Sequence, residues 1–414
     1  MRRTLTLVFA FVFLGWMPVW AQAPPTANDV DINQVLSKGI NFDHIFLPYN
    51  GNHPLTEEQW NSIRKNLRES EFKQVAALGF THVRLNLGLD FLRDPQTPDS
   101  LNPRGLALLD QAVEMAKRNG LGVVLDMHQT PAPDIFHDPK ELESYITLWK
   151  NLAAHYSRQP LSVLFEVINE PAIPELTKSD PPQWDIRHWR AGVQVLTDII
   201  RQEDPNHYLV QGDIQHWRAI LKSLIEAVRK EDPDRYIVVT GGGWGGAETL
   251  IQMGSLGFPR LIYDFHYYEP FMFTHQGAYW VDKSISTLKG IHYPVSESEV
   301  VAAWVAAKKA GFQEWPFKSY PHGFDSDNTR QNLEPLFSFA KKENIQLYCG
   351  EFGVLKAGPP PEDRVRWLRD VTDLFRENGV GWANWAYHAS FDMADQNGNP
   401  DRQEVEALGL TGEK

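Results

Sequence analysis

Short apolar runs alternate with amphipathic helical patterns along most of the chain. The runs are KGINF (38–42), THVRLNL (81–87), GVVLDMH (122–128), VLFEVIN (163–169), YIVVTGG (236–242), LIYDFHY (261–267), IQLYCGEFG (345–353) and GVGWANWAY (379–387). Each is short, apolar and bounded by turn residues, which reads as a buried strand. The segments between them carry helix punctuation. In 102–120, Asn102 is a cap, Pro103 opens the first turn and Gly120 lies past the end. The stretches 69–79 and 330–344 are amphipathic in the same way. Strands alternating with helices predict an α/β fold with a parallel sheet. Eight such units predict a (β/α)8 TIM barrel, with a doubly wound sheet as the competing architecture.

The polar positions favour the barrel. Nearly every run has its polar residue at or just past its C-terminal end: Arg84 and Asn86, His128, Asn169 and Glu170, His266 and Tyr268, Glu351, Trp385. A barrel gathers such residues from all strands onto one face, whereas an open sheet gathers only those near its switch point. The glycine-rich TGGGWGG (240–246) lacks the spacing of a dinucleotide fingerprint and reads as a strand end and loop.

A tandem repeat interrupts the pattern between strands four and five. Residues 186–213 align without gaps on 214–241, with 12 of 28 positions identical. HWRA and EDP recur, as do Tyr208/Tyr236 and Val210/Val238. Each copy reads as a helix followed by a short strand, giving nine candidate strands where an eight-strand barrel has room for eight. Because GGGW follows 235–240, that segment is assigned to the fifth stave. The first copy becomes an external helix and extended segment.

Composition narrows the classes. The first residues read as a secretory signal peptide: Arg2 and Arg3, an apolar stretch broken by Pro18, and a cleavage point after Ala21 or Ala23, with Ala21 preferred. A signal at 1–21, an extension at 22–34 and one catalytic domain at 35–414 follow, with a secreted or periplasmic protein as the expected product and no membrane association after cleavage. The single cysteine, Cys349, excludes an intramolecular disulfide and reads as small barrel filling. The net charge of −13 argues against nucleic acid as partner. No HExxH motif occurs and the candidate histidines share no helical turn, so neither a metal centre nor a cofactor is expected. A monomer is expected.

Two carboxylates, Glu170 after the fourth run and Glu351 in the seventh, face each other if the barrel closes. Paired carboxylates on facing strand ends suit glycosidic bond cleavage, where one protonates the leaving oxygen and the other attacks or activates water. With NEP at 169–171, VRLNL, LDMH, DFHYY, GEFG and WANWAY in order, the chain resembles glycoside hydrolase family 5 over roughly 35–410. In that cellulase-type retaining family the catalytic carboxylates stand on barrel strands four and seven. The resemblance implies Glu170 as acid/base and Glu351 as nucleophile. It implies Arg84 and Tyr268 as supports of Glu351, with Arg84 holding it ionised. Asn169 would bind the sugar 2-hydroxyl, His128 and His266 would tune Glu170 or orient hydroxyls, and Trp385 would stack on a sugar. Arg84 pairing with an internal carboxylate such as Asp126 is the structural alternative.

The loops add aromatic candidates for sugar subsites: Trp244, Phe273, Trp280 and Trp315. The implied substrate is an oligo- or polysaccharide, with a β-1,4-glucan cut internally as first choice. The alternatives are a β-mannanase or exo-β-glucanase of the same family, a transglycosylase, and a non-catalytic sugar-binding protein on the same barrel.

Overall fold

Residues 30–47, 54–128, 134–171, 207–281, 283–311, 317, 319–388, 390–395 and 398–410 are described in a computed structural model, with side chains of 207–213 excluded. The expected signal segment, most of the first repeat copy and Trp315 lie outside the described residues.

All eight apolar runs form strands: β1 (Gly39–Phe42), β2 (His82–Leu87), β3 (Gly122–Met127), β4 (Val163–Glu166), β5 (Ile237–Thr240), β6 (Leu261–Tyr267), β7 (Gln346–Phe352) and β8 (Gly381–Asn384). They pair in parallel in chain order and close, β8 against β1, into the expected barrel. One helix begins at the cap the sequence marks, and two others begin at caps the sequence reading did not name. Asn102 accepts from the Arg104 and Gly105 amides at the start of Pro103–Arg118. Asp138 does the same for Pro139–Tyr156, and Asp325 forms a capping box on Ser326–Glu343. Gly79 (φ 95°) and Gly120 (φ 74°) adopt left-handed conformations that turn the chain from helix into β2 and β3.

Two apolar clusters hold the barrel. The larger lies between staves and outer helices and includes Trp149, Phe165, Trp217, Trp367 and Cys349. The smaller fills the barrel's lower interior: Val124, Leu164, Val238, Ile262, Tyr348 and Ala383. Ile32, the first residue of the short helix Ile32–Val35 that Asp31 caps, and Leu36 just past its end close this floor from below. Among the described residues no helix is long and apolar enough to cross a membrane.

The second repeat copy supplies the fifth stave, as its glycine-rich sequel suggests. Trp217 on its helix is buried and donates to the Thr240 carbonyl, 3.1 Å, packing the helix on its own strand. The extended segment expected at 207–211 is not found. That backbone is the first turn of one long helix, His207–Glu231. With every barrel position filled, these residues have no strand neighbour to satisfy their backbone, and helix satisfies it internally.

Candidate active site

Side chains two apart on a strand share a face, and the inner faces of these staves change from apolar to charged on rising toward their C-terminal ends. Above Val124 stands Asp126, above Leu164 stands Glu166, and above Ile262 stand Asp264 and then His266. Arg84 and Asn86 share the inner face of β2. Just past the staves come His128, Asn169 with Glu170, Tyr268 and Trp385. All eleven sit at one end of the barrel, where loops and not packing decide the chemistry.

Arg84, fully buried, organises the layer. Its Nε and Nη2 donate to both oxygens of Glu166, at 2.7 and 2.6 Å. Nη1 donates to Glu351 Oε1 at 2.9 Å and to Asn41 Oδ1 at 2.8 Å. Nη2 also reaches Asn169 Oδ1 at 2.6 Å and lies 3.2 Å from Asp126 Oδ2. The two readings of Arg84 are therefore not exclusive: one guanidinium serves Glu351 and internal carboxylates together. Burial pushes the Glu166 carboxyl well above its usual range, Asp126 adding to the push and Arg84 opposing it. Burial also raises Asp126, but there Arg84 and His128 prevail and hold it below its usual value.

Glu351 reaches this layer through a bulge. On β7 the pairing with β6 passes from Phe265↔Cys349 to His266↔Glu351, skipping Gly350. A bulge re-aims the following side chain. The bulged peptide is pinned at both ends: Gly350 N–H donates to Asp264 Oδ1 at 2.6 Å, and the Gly350 carbonyl accepts from Asn41 Nδ2 at 2.9 Å. Only glycine fits, since a Cβ there would lie 2.7 Å from Asp264 Oδ1. Tyr268 donates its hydroxyl to Glu351 Oε2 at 3.1 Å. His266 Nδ1 lies 2.6 Å from Glu170 Oε1 and 3.6 Å from Glu351 Oε2. A carboxylate oxygen of Glu170, one of Glu351 and a His266 nitrogen all lie within 4.8 Å of one another.

The electrostatics depart from the expectation at Glu351. Burial raises its carboxyl above the ordinary value and Glu170 adds to the rise; His266, Arg84 and His128 oppose without cancelling it. Arg84 thus acts in the expected direction but does not determine the outcome. Burial alone would lower His266, yet Glu351, Asp264 and Glu170 together hold it well above the usual histidine range. The Cys349 thiol is buried and driven far up by that burial, as befits filling and not a nucleophile.

His128 Nδ1 pairs with Asp126 Oδ2 at 2.7 Å, and its ring stacks on Trp385 with centroids 5.3 Å apart and planes at 13°. One face of Trp385 is therefore already covered. Trp244 and Trp280 are 58% and 48% exposed on the loops. Phe273 is not a subsite residue: it is fully buried against Tyr293 in the outer core. The sequence reading passed over Asn41, Glu166, Asp264 and the exposed Tyr279 beside Trp280. For Asp264 a signal existed, a charge two places before a site residue in a buried run. Away from the mouth, His44, Glu71 and His388 come close enough to hold a cation, but Glu71 already pairs with both imidazoles and with Arg68.

Comparison with known proteins adds lineage to this geometry. A family model described as Cellulase (glycosyl hydrolase family 5) matches residues 49–390. Endoglucanase C of Acetivibrio thermocellus is 24% identical over 357 residues, spanning 82% of this chain and 89% of the relative. Cellodextrinase A of Ruminococcus flavefaciens is 24% identical over 327 residues, 76% of each. A hyperthermophilic endo-β-1,4-glucanase solved with its substrate superposes with a TM-score of 0.65 at 21% identity, covering 91% of this chain and 98% of that one.

Proposed function

The chain belongs to glycosyl hydrolase family 5, and on that premise we propose that this glycoside hydrolase cleaves β-1,4-glucan internally, with retention, through Glu170 and Glu351. The observation that carries the reading is the approach of the two carboxylates within 4.8 Å across the barrel mouth, each with its own partners. Retaining enzymes hold their carboxyl groups about 5–5.5 Å apart, whereas inverting enzymes need roughly 6.5–9.5 Å to seat a water between them. The curated relatives named endoglucanase support the substrate class.

In the first step Glu170 gives its proton to the glycosidic oxygen while Glu351 attacks the anomeric carbon. The leaving sugar departs as an alcohol and a glycosyl ester forms on Glu351. Arg84 and Tyr268, one on each Glu351 oxygen, fix the attacking lone pair. Asn169 gives its oxygen to Arg84, which turns its amide nitrogen toward the sugar 2-hydroxyl. In the second step Glu170, now ionised, takes a proton from water, the water attacks the same carbon, and Glu351 leaves. Two displacements at one carbon return the starting anomer. Trp244, Trp280 and the uncovered face of Trp385 offer flat apolar surface for pyranose rings. The catalytic unit spans 35–414 and the leader at 1–21 directs export.

A substrate panel tests the reading: carboxymethylcellulose, mixed-linkage glucan, mannan, xyloglucan and laminarin, with Glu351→Gln as control. Cellulosic substrates should be cut with a fall in viscosity faster than the rise in reducing ends, and the variant should be inactive. Preference for mannan would replace the substrate assignment; full activity of the variant would remove Glu351 from the chemistry.

A further inference from the structure

Asn41 stands on β1 beside Arg84, its pairing partner on β2, and is fully buried. Its Oδ1 accepts from Arg84 Nη1 at 2.8 Å and from Asn86 Nδ2 at 3.1 Å. Its Nδ2 donates to the Gly350 carbonyl at 2.9 Å and to the Asn384 carbonyl at 3.2 Å, and reaches the Ala383 carbonyl at 3.4 Å. An amide has two lone pairs and two N–H groups, and both kinds are fully used here. The orientation has no alternative. Turned over, the amide would set its oxygen against carbonyl oxygens and its N–H groups against the guanidinium.

Two of these contacts bear on one residue. The Gly350 carbonyl belongs to the same rigid peptide plane as the Glu351 N–H, so holding it fixes where the Glu351 side chain leaves the strand. Arg84 Nη1, held by the other end of the amide, donates to Glu351 Oε1 at 2.9 Å. The contacts close a loop. It runs from Asn41 to Arg84, from Arg84 to the Glu351 carboxylate, through the Glu351 backbone to the Gly350 carbonyl, and from that carbonyl back to Asn41. Filling the barrel calls for none of this: the layer below is filled by Val124, Leu164, Val238 and Ile262.

We propose that Asn41 is a positioning residue for the nucleophile. Its amide sets the bulged peptide before Glu351, and the guanidinium nitrogen on the Glu351 carboxylate, in one fixed relation. The proposal rests on the reading of Glu351 as nucleophile and adds a residue that acts through Arg84 and Gly350. Asn41→Ala removes the amide at both ends. The bulge keeps its other anchor, Gly350 N–H on Asp264 Oδ1 at 2.6 Å, and Trp385 keeps its own tie, its N–H on the Phe352 carbonyl at 2.8 Å. The pairing of β1 with its neighbours is made by backbone and does not involve the amide. Barrel and sugar platform therefore persist while Glu351 loses its fixed aim. A misplacement of about 1 Å in a reacting group costs roughly 100-fold in rate.

Covalent trapping by an activated 2-deoxy-2-fluoro β-cellobioside isolates the attack of Glu351 from the later hydrolysis. In Asn41→Ala the trapping rate at saturating reagent should fall roughly 100-fold, with the half-saturating concentration unchanged. Asn41→Ser, which leaves a smaller void, should fall in between, and the thermal midpoint of each variant reports folding. A folded variant that is trapped at the wild-type rate overturns the proposal. Equal loss of trapping rate and reagent binding overturns it too, since the site would then be damaged as a whole. Loss of folding in both variants assigns Asn41 to the barrel alone and overturns it as well. Failure of the nucleophile reading is seen separately, as a wild-type enzyme that forms no adduct on Glu351, before any variant is compared; it removes the premise and the proposal with it.

Discussion

Replacing Arg235 by histidine should destabilise the barrel by roughly 4 kcal/mol. Histidine is the residue at the aligned position of the first repeat copy, His207. Arg235 enters β5 fully buried and donates to four backbone carbonyls: Pro160 at 2.6 Å, Val163 at 2.8 Å, Tyr156 at 2.8 Å and Gln159 at 3.0 Å. Its Nε donates to Asp232 Oδ2 at 2.7 Å, and its guanidinium lies 5.2 Å from the centre of the Phe165 ring. These contacts fasten the entry of β5 to the turn that launches β4. A histidine is too short to reach more than one of them. The Val163 carbonyl, in a buried bond, and the buried Asp232 carboxylate would lose their donor, whereas the Tyr156 carbonyl keeps the Gln159 amide at 2.9 Å. At about 1–3 kcal/mol for each stranded group, with water rescuing the two more open carbonyls, the sum is roughly 4 kcal/mol. With an unfolding entropy of ~2.1 cal/mol/K per residue, a chain of this size loses about 5 °C in Tm. Calorimetry and guanidinium unfolding followed by tryptophan fluorescence measure it, with Arg235→Lys expected to fall between. A shift below about 1 °C would refute the reasoning, and with it the view that this arginine is what commits the second copy to the barrel.

Three further outcomes follow from single contacts. Tyr268→Phe removes the hydroxyl on Glu351; at about 1.5–3 kcal/mol for a bond to a charged group, kcat should fall roughly 10- to 150-fold with Tm nearly unchanged, and an unchanged kcat contradicts the contact's role. Gly350→Ala places a methyl 2.7 Å from Asp264 Oδ1, so the bulge must shift; activity should drop at a stability cost of about 1–3 kcal/mol, whereas a fully active variant would mean the bulge does not aim Glu351. His82, buried under the site with its ring on the Tyr348 hydroxyl at 2.8 Å, has its pKa pushed down to about 3 by burial, the Arg84 charge helping. The unfolded chain therefore binds a proton below its ordinary 6.5 that the native state refuses, and stability falls as pH drops from there toward 3, by up to about 1.4 kcal/mol per unit. Guanidinium midpoints at pH 7.5 and 5 should converge in His82→Gln, and an equal loss in both proteins would sink that account.

The staves were legible because each is buried on both faces and so reads as an apolar run with its polar residue at the end. The helix Pro103–Arg118 was legible because Asn102 marks its start, and others because their apolar positions recur at helical spacing. The run β7 shows where this logic stops. Cys349, Gly350 and Glu351 look like ordinary strand sequence, and nothing local announces that Gly350 bulges; the cause is Asp264 and Asn41, which lie far away in the chain. The charge layer under the mouth was missed for a related reason. Glu166 resembles an exception in an apolar run until Arg84 is seen to grip both its oxygens. Phe273 misled because a loop aromatic looks the same whether it faces a sugar or the core. For the repeat, the glycines after β5 pointed to the right copy. The helix that replaces the extended segment at 207–211 depends on the barrel being full, which a single copy's pattern cannot express.

The central claim is that Glu351 becomes covalently bonded to the substrate. An activated 2-deoxy-2-fluoro β-cellobioside traps such an ester, because the fluorine slows both displacements while the activated leaving group keeps formation faster than hydrolysis. Intact mass spectrometry should show one added disaccharide per chain, and peptide mapping should place it on Glu351. No adduct accompanied by inverted product anomers in the proton NMR spectrum, or an adduct on any other residue, would contradict the account.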